Sequence, residues 1–131
     1  MATYISLIQY TQQGLAAIKE SPKRLDAARK AFEQAGAKIL ARQKNPPSDA
    51  RKLNQTLREA ERMLLIPAGL PNRPWYHHAI YAPGQYTGYA AVVIPGVNEA
   101  IDKHDLERTR QQITALAAAL NRAAKLLESY R

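Results

Sequence analysis

The chain has 131 residues, no cysteine and a formal charge of +8, from 19 lysines and arginines against 11 aspartates and glutamates. This length predicts one domain with a core of its own, and the lack of cysteine excludes disulfides, thiolate nucleophiles and cysteine-based zinc sites. No run reaches ~18 uninterrupted apolar residues and residues 1–5 lack the basic start of a signal peptide, so we predict a cytoplasmic protein without a membrane span.

The start of the chain fits two structures. Residues 3–10 alternate enough to form a strand. The same region also fits the apolar stripe of a helix, formed by Tyr4, Leu7, Ile8, Leu15 and Ile18. Periodicity does not decide between a helix and a strand in so short a run.

Three later segments have a helical period of three and four residues. We predict helices at about 21–42, 48–65 and 105–131, with Ser21 and Ser48 at the first two starts. An antiparallel bundle would bury their apolar stripes. These stripes are Leu25, Ala28, Phe32, Ala35 and Ile39; Leu53, Leu57, Ala60 and Leu64; and Ile113, Leu116, Leu120, Ala123 and Leu127.

The segment 66–96 before the last helix is the most informative part of the chain. It holds five of the eight prolines, so neither a helix nor a regular sheet runs through it unbroken. It is nevertheless rich in aromatic and aliphatic residues, which must pack against the chain's own core or against another chain. Within and after it, residues 89–94 predict a strand or an extended buried segment, and residues 97–102 predict a short helix.

The pattern of this loop is specific, because many positions match at the correct spacing. It consists of Leu70-Pro71, Arg73-Pro74-Trp75-Tyr76, His78 and Ile80-Tyr81-Ala82-Pro83. It resembles the C-terminal domain of the glutamate carboxypeptidase II and transferrin receptor family, and the resemblance extends over about residues 48–131. It implies a helical domain whose main task is homodimerisation, beside a zinc peptidase domain.

The first forty residues carry a second resemblance. Residues 1–8, 11–14 and 19–28 are similar to the start of a GYD-domain protein, a small α+β protein of ferredoxin-like fold. The resemblance implies a strand followed by a helix, and it does not continue beyond about Leu40. Two resemblances that meet there suggest a recombined or engineered protein, and an unusual natural N-terminus is the alternative.

The chain lacks the residues of a peptidase site. A zinc peptidase needs several ligands and a general base, whereas the histidines are His77, His78 and His104, without a His-Glu-x-x-His motif. Adjacent side chains of an extended segment point to opposite sides, so we expect His78 to bond a loop carbonyl instead of a metal. We predict no enzyme activity, no cofactor, no metal and no small-molecule substrate.

One substrate-pocket position is implied by the resemblance. The glutamate carboxypeptidases have a Lys-Tyr pair that holds a substrate carboxylate. Tyr89 matches the tyrosine, but Gly88 stands where the lysine would be. Tyr89 is therefore expected to be vestigial and to serve in packing.

Candidate interface residues lie in the loop and on the last two long helices. Aromatic side chains with a polar tip concentrate at the centres of interfaces, so Trp75 and Tyr76 are the strongest candidates, with capping of the chain's own core as the alternative. The full set is Leu64, Ile66, Trp75, Tyr76, Tyr81, Leu116 and Leu120.

Together these features predict an all-α single domain, a four-helix up-down bundle with a long proline-rich crossover before the last helix. The alternative is an α+β fold with short strands at 3–10 and 90–94, which a ligand-binding or enzymatic role of the GYD-like start would require. We predict a non-enzymatic module that forms a two-fold homodimer. The basic charge, spread over the polar sides of helices, makes nucleic-acid binding the alternative function, and an engineered fold without a native function is another.

Overall fold

Helices make up most of the described chain. The computed structural model describes residues 21–43, 48, 50–86 and 88–130. Within these residues the helices are α1 (Ser21–Gln43), α2 (Ala50–Arg62), α3 (Pro95–Asp102) and α4 (Leu106–Ser129), and the strands are β1 (Tyr81–Pro83) and β2 (Ala91–Val93). The mostly helical architecture agrees with the predicted all-α class, apart from the two-stranded sheet. Residues 3–20, needed for a further helix or for the alternative strand, lie outside the described part.

The stripes predicted from the sequence form the core, and they show that α1 and α4 run in the same direction. Ala28 belongs to one buried cluster with Ile113, whereas Ile39 packs further along with Leu127. The first cluster contains Ala28, Ala79, Val97, Ile113, Leu116, Ala117, Ala119 and Leu120. The second contains Ala35, Ile39, Leu53, Ala60, Ala124, Leu127 and Tyr130.

The α2 helix runs antiparallel to α4. Lys52, near its start, lies over the ring of Tyr130 at the end of α4, 5.8 Å from the centroid. Just after its end, the Met63 carbonyl accepts a hydrogen bond from Arg122, two turns earlier on α4. The three long helices therefore alternate in direction along the chain, as an up-down bundle requires.

The α2 helix is shorter than predicted. The apolar spacing predicts a helix over 48–65, whereas the structure has Ala50–Arg62. Beyond it the chain turns, and Leu65 pairs with His78 in an isolated antiparallel bridge. Leu64 still packs against the first cluster from this turn. Its burial prolongs the apolar pattern past the end of the helix.

The sheet is a short antiparallel pair in which Tyr81 faces Val93 and Pro83 faces Ala91. Hydrogen bonds run from the Ile94 N–H to the Ile80 carbonyl at 2.7 Å and from the Gly84 N–H to the Ala90 carbonyl at 3.0 Å. In an antiparallel ladder hydrogen-bonded and non-hydrogen-bonded pairs alternate. Tyr81 and Val93 are therefore a non-hydrogen-bonded pair, the kind whose side chains lie closest. The strand predicted at 90–94 thus exists at Ala91–Val93, and its partner here is β1.

Each outer edge of the sheet has one carbonyl that a side-chain donor bonds. The backbone groups of non-hydrogen-bonded pairs point away from the partner strand. On the β1 side, Nη1 of Arg73 donates to the Pro83 carbonyl, and proline itself has no N–H to offer. On the β2 side, the Asn98 amide donates to the Val93 carbonyl at 2.6 Å.

Candidate self-association surface

The chain after α2 folds back on itself as an irregular hairpin. Its base is the bridge between Leu65 and His78. The flanking bonds run from the Ile66 N–H to the His77 carbonyl at 2.7 Å and from the Ala79 N–H to the Leu64 carbonyl at 3.0 Å. Leu65 and His78 are thus a non-hydrogen-bonded pair, with both side chains on one side of the hairpin.

Arg73 ties the tip of the hairpin to the sheet and to α3. The residue is only 5% exposed. Its guanidinium donates to the Pro83 carbonyl and to the carboxylate of Glu99, and it lies 5.7 Å from the ring centroid of Tyr76. Charge-assisted bonds of a planar guanidinium hold their partners in a defined geometry. The proline-rich loop is thereby held in place by one buried arginine.

A second arginine fixes the base of the hairpin on α4. Arg122 Nη2 donates to the carbonyl of Met63 at 3.1 Å and to that of Leu65 at 2.9 Å. These two carbonyls lie just past the end of α2, where helical hydrogen bonding stops. Arg122 satisfies them and so sets the position of Leu65 relative to the core.

Inside the hairpin the backbone comes too close for a side chain at Gly69. Gly69 has φ +72°, and a Cβ placed there would lie 2.1 Å from the Pro74 carbonyl oxygen. Only glycine satisfies both the left-handed conformation and the close approach. The tight turn needed to bring Arg73 under the sheet therefore depends on this residue.

The residues Leu65, His78, Tyr81 and Val93 form one continuous surface, which we call the aromatic face. Leu65 and His78 are a cross-strand pair. The rings of His78 and Tyr81 stack, with centroids 4.1 Å apart and an angle of 29° between planes, and Tyr81 pairs with Val93. Leu65, Tyr81 and Val93 are 40%, 51% and 61% exposed. Contiguous apolar surface of this kind marks an interaction site more often than scattered exposed residues do.

A shallow groove borders the aromatic face on the α2 side. It is lined by Arg58, Glu61, Arg62, Leu65 and His78. An apolar centre with a charged edge is the common anatomy of a protein–protein interface. The groove therefore supplies the polar rim of the candidate surface.

His78 is held neutral at the centre of the aromatic face. Its Nδ1 accepts a hydrogen bond from the Ile80 N–H at 3.2 Å, so the proton of the neutral ring sits on Nε2. Burial lowers the pKa of His78 below its usual range, and the nearby charge of Glu61 opposes this shift. The neutral ring stacks on Tyr81 as an aromatic surface.

The prediction that His78 bonds a loop carbonyl is wrong. The histidine that does so is its neighbour, His77, whose Nδ1 lies 2.9 Å from the Ile66 carbonyl oxygen. The two side chains point to opposite sides of an extended segment, as expected. His78 takes the side that faces Tyr81 and acts as an acceptor.

The structure separates the predicted interface residues into two groups. Trp75, Tyr76 and Tyr81 are exposed, and at 69% Trp75 does not cap the chain's own core. Leu116 and Leu120 are buried in the first core cluster, and Leu64 and Ile66 pack against it. Leu64, Leu116 and Leu120 face the interior of the chain because their spacing matches the core stripes, whereas Ile66 packs there from the hairpin.

Leu65, His78 and Val93 were not among the predicted interface residues. Leu65 lies one position off the helical stripe that ends at Leu64, and no local pattern pairs it with His78. The alternation around Tyr81 and the apolar run 89–94 are the signals that could have linked Tyr81 to Val93. These signals link the two residues only once the pairing of β1 with β2 is known.

Other predicted positions have simpler outcomes. Tyr89 is fully exposed, at 104% relative accessibility, after Gly88 with φ +65°, so the expectation that it packs is wrong. Among the described residues, no group of three or more histidine, cysteine, aspartate or glutamate side chains could hold a metal ion. None of the described helices has the length and apolarity of a membrane span.

The chain is thus a small helical domain that carries an exposed apolar surface on a loop clamped to its core. It belongs to the transferrin receptor-like dimerisation domain family, whose model matches residues 8–128. This match extends the resemblance seen in the loop over nearly the whole sequence. It also crosses Leu40, where the GYD-like start would end, and the GYD-type start and a recombined origin find no support in it.

Relatives with this domain are much longer proteins. The chain is 39% identical over 85 residues to a probable glutamate carboxypeptidase of Arabidopsis thaliana, covering 60% of the chain and 12% of that protein. It is also 39% identical over 77 residues to a probable glutamate carboxypeptidase of Arthroderma benhamiae, which covers 59% of the chain and 11% of that protein. To an inactive zinc metalloprotease of Schizosaccharomyces pombe it is 34% identical over 70 residues, which covers 53% of the chain and 9% of that protein. The chain therefore spans about a tenth of the length of these relatives.

Proposed function

We propose that this chain is a non-enzymatic self-association module, acting as one domain, that forms a two-fold homodimer through the aromatic face. The observation that supports this most is the continuity of that face. Leu65, Tyr81 and Val93 come from separate parts of the chain, yet pairing and stacking through His78 join them. All three remain exposed in the single chain.

The rigidity of the surface favours binding. Arg73 and Arg122 attach the hairpin to the sheet, to α3 and to α4. A surface that is ordered before association loses little conformational entropy when it binds. A two-fold contact uses the same face on both copies, so each aromatic face would cover the other.

The charged rim suits a contact between identical copies. Glu61 lies between Arg58 and Arg62 along the groove. In a two-fold contact the glutamate of one rim can face an arginine of the other, which favours correct orientation. The high net charge of the chain opposes association at longer range, and we expect salt to weaken that repulsion.

Two of the relatives bear the names of carboxypeptidases, but this chain corresponds to a small part of each. We propose that it contributes contacts between copies and no catalytic group. His77 and His78 support this, because their side chains face opposite sides and each has its own contact within the hairpin. Tyr89 stands without the lysine that the family pairs with it.

The direct test is the molar mass in solution by light scattering, over a range of protein concentrations, at low and high salt. We expect a mass near twice 14.6 kDa, about 29 kDa. At high salt the fraction of dimer should stay the same or rise. A mass of 14.6 kDa at every concentration would contradict the proposal. Binding of duplex DNA or RNA with a steep salt dependence, together with a monomeric mass, would favour the alternative function instead.

A further inference from the structure

We propose that His78 makes self-association through the aromatic face sensitive to protons, so that the homodimer dissociates when this imidazole becomes charged. The proposal rests on the proposed function and adds its regulation. It comes from the position of one ring, which belongs at once to the hairpin bridge, to the stack with Tyr81 and to the groove beside α2.

The site of His78 fits the neutral imidazole and does not fit the charged one. Nδ1 is occupied as the acceptor of the Ile80 N–H. Nε2 is buried and has no hydrogen-bond partner among the described residues. A charged imidazole carries a proton on both nitrogens and accepts no hydrogen bond. Protonation would therefore place two N–H groups against each other at Ile80 and break the bond that holds the ring over Tyr81.

The charged neighbours of His78 lie on the elements around the hairpin. Arg58, Glu61 and Arg62 of α2 line the groove with it. On the other side, Arg122 of α4 donates to the carbonyl of Leu65, its bridge partner. Of these groups Glu61 favours a charged ring, whereas burial of the ring opposes the charge. A second copy would cover the aromatic face and remove further water, which also disfavours the charge.

The sign of the pH effect follows from linkage. Burial holds the pKa of His78 below its ordinary value of 6.5, and the dimer would lower it further. The dimer then binds fewer protons than two separate chains, so association is strongest while the ring is neutral in both states. It weakens as the pH falls below the pKa of the separate chain. Two rings titrate per dimer, so we expect the dissociation constant to rise continuously as the pH falls from about 7.5 to about 5.5, by no more than about 100-fold.

Sedimentation equilibrium at these two pH values tests the inference on the full chain. The variants are His78→Asn, whose amide oxygen can replace Nδ1 as acceptor but does not titrate, and His77→Asn as the matched control. We expect the wild type and His77→Asn to dissociate at the lower pH, and the dissociation constant of His78→Asn to stay nearly constant. Far-ultraviolet circular dichroism at both pH values reports whether the monomers stay helical.

The outcomes separate the inference from the proposed function. A dimer of equal strength at both pH values overturns the inference and leaves the function standing. So does the same pH dependence in His78→Asn as in the wild type. A monomer at every concentration at the higher pH overturns both. Loss of helicity at the lower pH also overturns the inference, because the proton then unfolds the chain instead of separating the copies.

Discussion

Arg73 and Glu99 form a largely buried ion pair that joins the proline-rich loop to α3. The two residues are 26 positions apart, and the same guanidinium also reaches β1. A buried charge that loses its partner costs far more than an exposed one, because the remaining group is left without solvent or counter-charge. This pair is therefore the point at which the loop is most sensitive to substitution.

Replacing Arg73 by methionine should lower the free energy of unfolding by about 3–5 kcal/mol, because Glu99 and the Pro83 carbonyl lose their donor. Chemical denaturation followed by circular dichroism measures this. The control is Arg108→Met, which removes a half-exposed pair with Asp105 and should cost less than about 1 kcal/mol. Equal costs for the two variants would show that the buried pair does not hold the loop.

Gly69→Ala should destabilise the chain by about 2–4 kcal/mol. Alanine disfavours the left-handed φ of this residue, and its Cβ would collide with the Pro74 carbonyl. Gly36→Ala is the matched control. Gly36 lies within α1 with nothing within 4 Å of its added Cβ, so alanine should stabilise the helix by about 0.5–1 kcal/mol. Thermal unfolding of both variants should move in opposite directions. A Gly69→Ala variant as stable as the wild type would contradict the described turn.

Tyr81→Ser should weaken self-association at least about 30-fold, since a central aromatic residue of an interface contributes about 2 kcal/mol or more. Tyr89→Ser removes a still more exposed tyrosine outside the aromatic face and should leave the dissociation constant unchanged. Light scattering over a dilution series compares the two. If both variants dimerise like the wild type, the contact lies elsewhere on the chain.

Trp75→Ala should leave the unfolding free energy within about 0.5 kcal/mol of the wild type, because the side chain is largely exposed. It should weaken self-association more than it changes helicity, if the tip of the hairpin reaches the partner. Unfolding curves and mass measurements on one sample give both quantities. A large loss of stability would mean that Trp75 packs in the core of its own chain.

The helices were the predictable part of this fold. The spacing of Leu25, Ala28, Phe32, Ala35 and Ile39 is a local signal, and these residues are buried or half-buried along α1. The end of α2 was not predictable, because Leu64 packs half-buried against the core from a turn and continues the apolar pattern. An apolar pattern indicates which residues pack against the core, but it does not show whether the last of them lies in the helix or in the turn after it.

The candidate surface could not be predicted from the sequence, because its residues are brought together by contacts between distant segments. Tyr81 was predicted as an interface residue on its type alone, and its partners Leu65 and Val93 emerged only with the pairing of separate segments. The roles of His77 and His78 show the same limit. Alternation predicts that adjacent side chains face opposite sides, but the choice of side depends on where the hairpin lies against the sheet.

The side chains of Arg73 and Asn98 occupy the outward carbonyls of β1 and β2. An exposed strand edge is a template on which further strands can add without limit. With those two carbonyls already bonded, each edge offers fewer backbone acceptors to an added strand. In the proposed two-fold contact each copy covers the patch of the other, which leaves no patch for a third copy. The side-chain bonds at the two edges of the sheet favour such a closed pair over an open-ended sheet.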